Sequence, residues 1–141
     1  MNEITIPLNT RLPHSYPFLL IDRVVEFEAG KRVVCVKNVS CNEDVLQSYH
    51  PENSIFPSVY IIEAMAQSSG LLMAGEKAEG GFLTMIRDAK FHRTVQPGDR
   101  LMITSSLFHK MSPLYVFEAK ATVNDHLAAE AEITLALAET P

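Results

Sequence analysis

Between Ser58 and Lys77 the chain carries apolar residues on nearly every side of a helix, and that stretch limits the folds open to it. Val59, Ile61, Ile62, Met65, Leu71, Leu72 and Met73 cover most of the circumference rather than one stripe. Such a helix must be covered on nearly all sides. The apolar run from Val59 to Ala74 is short for a membrane span and is interrupted by Glu63 and Gln67. Pro57 followed by Ser58 marks the helix start, with Ser58 expected as the N-cap.

Strand-like material lies on both sides of the helix. Val24 to Phe27 and Arg32 to Val39 are rich in β-branched residues and flank Glu28-Ala29-Gly30-Lys31, which predicts a hairpin with Gly30 at positive φ. Ahead of it, LPHSYPFLLIDRV is proline-punctuated and reads as a packed, irregular lead-in. A polar loop is expected over Ser40 to Ser54. After Glu79-Gly80-Gly81, strands are expected at Phe82–Phe91, Arg100–Lys110, Leu114–Val123 and Leu127–Ala138. Pro97-Gly98-Asp99, Ser112-Pro113 and Asn124-Asp125 supply the turns between them. The Ala-rich LAAEAEITLALAE is assigned to a strand because Ile133, Leu135 and Leu137 alternate after a hairpin signal.

Two strands, one long helix and four strands make an α+β chain. An antiparallel sheet curled about the helix covers it, the arrangement called a hotdog fold. One sheet face cannot enclose a helix completely, so a back-to-back dimer is expected to finish the enclosure. At 141 residues the chain is expected to form a single domain over 1–141. A formal net charge of -5 argues against nucleic-acid binding. The N-terminus lacks the basic and apolar runs of a signal peptide, so a cytoplasmic protein is expected. Cys35 and Cys41 form no CxxC and are expected as reduced thiols. The histidines are scattered with none in a ligand-spaced pair, so neither a metal nor a cofactor is expected.

LPHSYPFLLIDRV, KNVSCNE, IFPSVYIIEAMAQSSG and AKFHRTVQPGD together resemble the β-hydroxyacyl-[acyl-carrier-protein] dehydratase family, in register from about Leu12 to the last strand. The resemblance implies a hotdog dimer with composite sites at the subunit interface. It implies elimination of water from a (3R)-3-hydroxyacyl thioester to give the trans-2-enoyl thioester, in fatty-acid or polyketide-like biosynthesis. In the scheme the resemblance implies, a histidine before the helix removes the C2 proton, and a glutamate on the partner's helix helps the hydroxyl leave. Backbone N–H groups at the helix start hold the thioester carbonyl, where the dipole favours negative charge.

Carried over residue by residue, the resemblance puts Glu63 at the family's glutamate, with Gln67 one turn later. Independently, a carboxylate near the start of a buried helix is lowered in pKa by the dipole and raised by desolvation, so it can serve as an acid. The family's H-F-P-G motif departs here to Tyr49-His50-Pro51-Glu52. In ungapped register Tyr49 takes the base position and His50 that of the phenylalanine. In one reading His50 reaches the thioester through a local backbone shift; in the other it faces elsewhere and the usual chemistry is crippled. Ser58 replaces the glycine that supplies a carbonyl-binding amide, and Phe56, Ser58, Val59, Gln67 and Met85 are expected around the substrate. Met85 stands where the family often has a glycine in the tunnel-lining strand. Arg87, Lys90 and Arg93 form a basic cluster that reads either as a solvated strand edge or as a dock for an acidic carrier protein. His14, Asp22 and Arg23 are read as structural, and His92, His109 and His126 as surface residues.

Three functions follow. The first is a dehydratase using Glu63 and His50, with Tyr49 assisting, on an acyl carrier protein or CoA thioester. The second is a hotdog thioesterase in which Glu63 activates water. The third is a degenerate subunit that pairs with an active homologue. The expected assembly is a homodimer or a higher oligomer of dimers, or a heterodimer with a related dehydratase.

Overall fold

Hairpin turns set by a few positive-φ residues build one sheet. The computed structural model describes residues 12–13, 18–47, 54–73 and 81–137. Its strands are β1 (Arg23–Glu28), β2 (Arg32–Asn38), β3 (Gly81–Phe91), β4 (Arg100–Met111), β5 (Leu114–Val123) and β6 (His126–Leu137). All pairings are antiparallel, in the order β1-β2-β4-β5-β6-β3. Gly30, at φ 70°, turns β1 into β2. Asn124 and Asp125, at φ 50° and 63°, form the two-residue turn between β5 and β6. Two consecutive left-handed residues match the right-handed strand twist, so this turn joins the strands without splaying them.

The helix α2 (Ser58–Gly70) follows a short α1 (Asp44–Gln47) and tightens into a 3-10 turn at Leu71–Met73. It packs chiefly on β4, then on β5, β6 and β2. Tyr115, Phe117, Ala119, Ala121 and Val123 alternate toward it along β5. Ala119 pairs with Ala131 and Ala121 with Ala129, and these buried small side chains let the helix approach the sheet closely. The result is an α+β hotdog fold, a buried helix against a six-stranded antiparallel sheet.

The Ala-rich segment is a strand, because cross-strand pairing on both sides overrides its helix propensity. Other expectations are corrected. Pro57, in extended conformation, is the N-cap, so Ser58 is already helical and no side chain caps the helix. The α-helical pattern stops at Gly70 rather than running on through 71–73; the expected extension over 74–77 lies outside the described residues. The helix α1 interrupts the polar loop, and four residues are too few to show a period.

Candidate active site

Glu63 is half-buried on α2, five residues after the helix start. The next turn brings Gln67 to the same side of the helix. Gln67 is 1% exposed, and its Nε2 donates to Glu63 Oε1 at 3.1 Å. The same Nε2 donates to the Phe18 carbonyl at 2.8 Å, and Gln67 Oε1 accepts from the Leu20 N–H at 2.9 Å. The lead-in to β1 is thus fastened to the face that presents Glu63. Phe18 stacks edge-on with Tyr60, which also contacts Phe56, so an aromatic wall stands one turn before Glu63.

The helix start turns backbone N–H groups outward, a setting that suits an electron-rich group. Tyr60 and Ile61 N–H both reach the Pro57 carbonyl, leaving the amides of Ser58 and Val59 directed out of the helix end. Phe56 fixes this end by bridging to Val95, its N–H donating to the Val95 carbonyl at 2.7 Å. Beside it lies a groove of about 230 Å³ lined by Phe56, Ser58, Ile61, Phe91, His92 and Arg93. His92 Nε2 lies 3.4 Å from Glu130 Oε2 at the rim. Val59 is 71% exposed, an apolar side chain on a helix otherwise largely buried.

The basic cluster is divided by the sheet. Arg87 pairs in register with Glu132 and Lys90 with Glu130, and Arg87 Nε lies 3.9 Å from Glu132 Oε1. Both therefore stand in cross-strand charge ladders, whereas Arg93 borders the groove at the helix start. Met85 is aligned with Thr134 and Val116, on the face opposite buried Phe117 and Ile133. A bulge between Leu83 and Met85 sets this orientation and leaves Leu83 and Ile86 on the helix-facing side. Asp22 holds the sheet edge, its Oδ2 accepting from the Asn38 N–H at 2.6 Å. His92, His109 and His126 are exposed. Tyr49, His50, Glu52 and His14 lie outside the described residues.

The FabA-like domain signature matches residues 12–132. The chain belongs to the FabA-like family. Its curated relatives include the 3-hydroxyacyl-[acyl-carrier-protein] dehydratase FabZ of Cupriavidus taiwanensis, 46% identical over 127 residues, covering 86% of this chain and 85% of the relative. The enzyme of the same name from Symbiobacterium thermophilum is 45% identical over 131 residues, covering 91% and 92%. Among solved structures, the dehydratase heterocomplex ApeI:P from Xenorhabdus doucetiae superposes with a TM-score of 0.84 at 20% identity, covering 97% of this chain and 94% of that one. At that identity the likeness shows the shared fold.

Two features of this FabA-like site were not legible in the sequence. The Phe18 and Leu20 backbone groups on Gln67 come from 49 and 47 residues away, and no pattern announces such a contact. Lys37 and Glu43 form a buried pair at 2.9 Å on a second groove of about 420 Å³, which Phe18, Asp22, Asn38 and Tyr60 also line. Among the described residues, no helix is long and apolar enough to cross a membrane.

Proposed function

We propose that the chain dehydrates (3R)-3-hydroxyacyl thioesters carried on an acyl carrier protein, in fatty-acid or a related biosynthesis in the cytoplasm. Kinship over nearly the whole chain to FabZ dehydratases at 41–46% identity carries this reading. The thioester carbonyl lies at the Ser58 and Val59 amides, where orphan donors and the helix dipole stabilise the negative charge that develops on the oxygen. A base on the 49–50 segment takes the C2 proton, with His50 or Tyr49 in that role. The C–H electron pair becomes the C2=C3 bond, the C3–O bond breaks, and Glu63 gives the departing hydroxyl its proton, releasing water.

Pairing of two copies completes the site. β3 is a sheet edge eleven residues long and exposed throughout, with Phe82, Leu83, Met85, Ile86 and Phe91 all exposed. A long apolar edge is a liability that a second strand removes. The opposite edge, β1, is short and carries Arg23, Glu26 and Glu28, so it is protected without a partner. The partner is a second copy. A related dehydratase in its place is the second reading, supported by the altered Tyr49-His50-Pro51-Glu52 motif. Arg93, at the groove rim, is the docking cation best placed to meet the acidic carrier or its phosphate.

The test is turnover of short and medium (3R)-3-hydroxyacyl carrier-protein substrates, with enoyl product and free acid separated by mass spectrometry. Wild type, Glu63→Gln, His50→Ala and Tyr49→His are compared, and the mass in solution is measured by light scattering. Enoyl product that disappears in Glu63→Gln is expected from a dimer. Free acid dependent on Glu63 would show a thioesterase instead. Full turnover by a monomer would overturn the shared site. Inactive dimers that gain turnover when mixed with an intact homologue would show a subunit needing another.

A further inference from the structure

We propose that Tyr115 is a specificity-determining residue whose hydroxyl bonds an oxygen atom carried in the distal part of the acyl chain. The inference rests on the reading above, with the thioester carbonyl at the Ser58 and Val59 amides, and narrows the substrate to acyl groups with an oxygen-bearing tail. Tyr115 is 3% exposed. Among the described residues, its Oη is the one buried side-chain oxygen or nitrogen with no hydrogen-bond partner. A buried tyrosine normally finds one. Left without it, the hydroxyl costs stability that phenylalanine would not, in nearly the same space. A single water suits the place poorly, because a buried water needs two to four polar partners. In register beside Tyr115 on the helix-facing side are Leu135 and Leu83, with Phe117 and Ile133 in the next row. The Lys110 ammonium lies over the face of the ring, 5.1 Å from its centroid, and holds the ring rather than the hydroxyl.

Tyr115 stands far from the helix start. There Phe56 bridges to Val95, and the nearby His92 N–H donates to the Ala128 carbonyl, so the paired Ala121 and Ala129 mark that end of β5 and β6. Tyr115 precedes Ala121 by six residues of strand, about 20 Å. The other end of the helix meets it. Met73, in the 3-10 turn, lies against Gly81, its Cε 3.3 Å from where a Cβ would stand. Gly81 is two residues before Leu83, which shares its row with Leu135 and Tyr115. The 13 residues of α2 rise about 20 Å between these ends. A chain held by its carbonyl at Ser58 and laid along α2 therefore brings its tail, not its reacting carbons, to Tyr115. Leu83 and Ile86, each 43% exposed, begin an apolar strip at the β3 edge that runs inward through Leu135 and Ile133 to Tyr115 and Phe117. Covered by the second copy, that strip is an apolar lining with one polar atom at its inner end. An apolar lining discriminates weakly among methylene chains, whereas a hydroxyl that lacks a partner discriminates strongly for the chain that supplies it.

The test is steady-state turnover by the full chain, wild type and Tyr115→Phe. The substrates are (3R)-3-hydroxyacyl carrier proteins of increasing chain length, each made with a methyl end and with a terminal hydroxyl. At one length, wild type should prefer the hydroxyl-ended chain in kcat/KM by roughly fivefold to a hundredfold, the effect of a hydrogen bond whose loss leaves a buried group unpaired. Tyr115→Phe should erase that preference and keep methyl-ended chains within about twofold of wild type. Its melting temperature should equal or exceed that of wild type, because the free protein loses no bond. A lower one would show that the hydroxyl is already bonded, and would overturn the inference. So would a wild type without preference at any length, or a preference that survives in Tyr115→Phe. Should no substrate give enoyl product, the functional reading fails and the tail site is decided by binding alone, with free ω-hydroxy and plain fatty acids as probes. A larger rise in melting temperature with the ω-hydroxy acid, lost in Tyr115→Phe, supports the site; equal rises overturn it.

Discussion

Ser69→Ala and Ser105→Ala should destabilise the protein unequally, although the two hydroxyls share one hydrogen bond. Ser69 on α2 and Ser105 on β4 are both fully buried, with their Oγ atoms 2.7 Å apart. Ser69 Oγ also donates to the Met65 carbonyl at 2.8 Å. A hydroxyl has one hydrogen, so Ser69 uses its own on Met65 and Ser105 must be the donor between the two. Removing Ser69 strands the Ser105 O–H in the core, at about 1–3 kcal/mol, offset by about 0.5 kcal/mol of improved helix propensity. Removing Ser105 takes a donor from an oxygen that keeps its bond to Met65, and should cost only about 0.5–1 kcal/mol. The double variant strands no donor and should be no worse than Ser69→Ala alone. Urea unfolding followed by far-UV circular dichroism suits a chain without tryptophan, at one protein concentration for all four forms. If Ser105→Ala were the costlier single change, the donor assignment would be wrong. Singles that add to the double within about 0.3–0.5 kcal/mol would mean that the hydroxyls do not couple.

The buried Lys37–Glu43 pair should show a larger asymmetry. Glu43→Ala leaves a side-chain ammonium that is only 9% exposed without its carboxylate, at about 3–5 kcal/mol. Lys37→Met should cost well under half of that, because Glu43 still accepts from the Ser40 N–H at 3.0 Å; equal urea midpoints for the two variants would contradict this. Burial in the core pushes the Cys35 thiol up to about 11, against a smaller lowering by its bond to Ser68. A raised pKa means that the folded state holds its proton longer, so this stability is intact below pH ~9 and is lost as pH climbs toward 11, by up to about 2–3 kcal/mol. Cys35→Val should flatten that alkaline slope in urea midpoints, and an unchanged slope would remove Cys35 as its source. In the folded protein a maleimide should label exposed Cys41 and spare buried Cys35.

Much of the fold was legible because its signals are local. Alternation along Ile133, Leu135 and Leu137 identifies a strand, and Asn124-Asp125 a tight hairpin, since each depends on backbone geometry within a few residues. The helix was legible from its apolar circumference, but its start was misassigned by one residue. Pro57 can itself hold the extended conformation that an N-cap needs, and sequence does not say which of two neighbours will do so. Met85 shows the limit more sharply. Its side is set by one extra residue at the Leu83–Met85 bulge, which reverses the alternation as far as a second irregularity between Arg87 and Lys90 and has no signature in the sequence.

The sequence by itself determined that Glu63 and Gln67 share a helix face, because a four-residue spacing in an α-helix allows little else. It also determined the family, through motifs spread over the chain. The tertiary structure alone decided what meets that face. The Phe18 carbonyl and Leu20 N–H reach Gln67 because the hairpin and the helix pack together, and backbone groups look the same in every residue type. It likewise decided that β3, last in the sheet order, is the exposed edge. Strand order depends on which long-range pairings win, and those are contests among whole surfaces that no local stretch of sequence records.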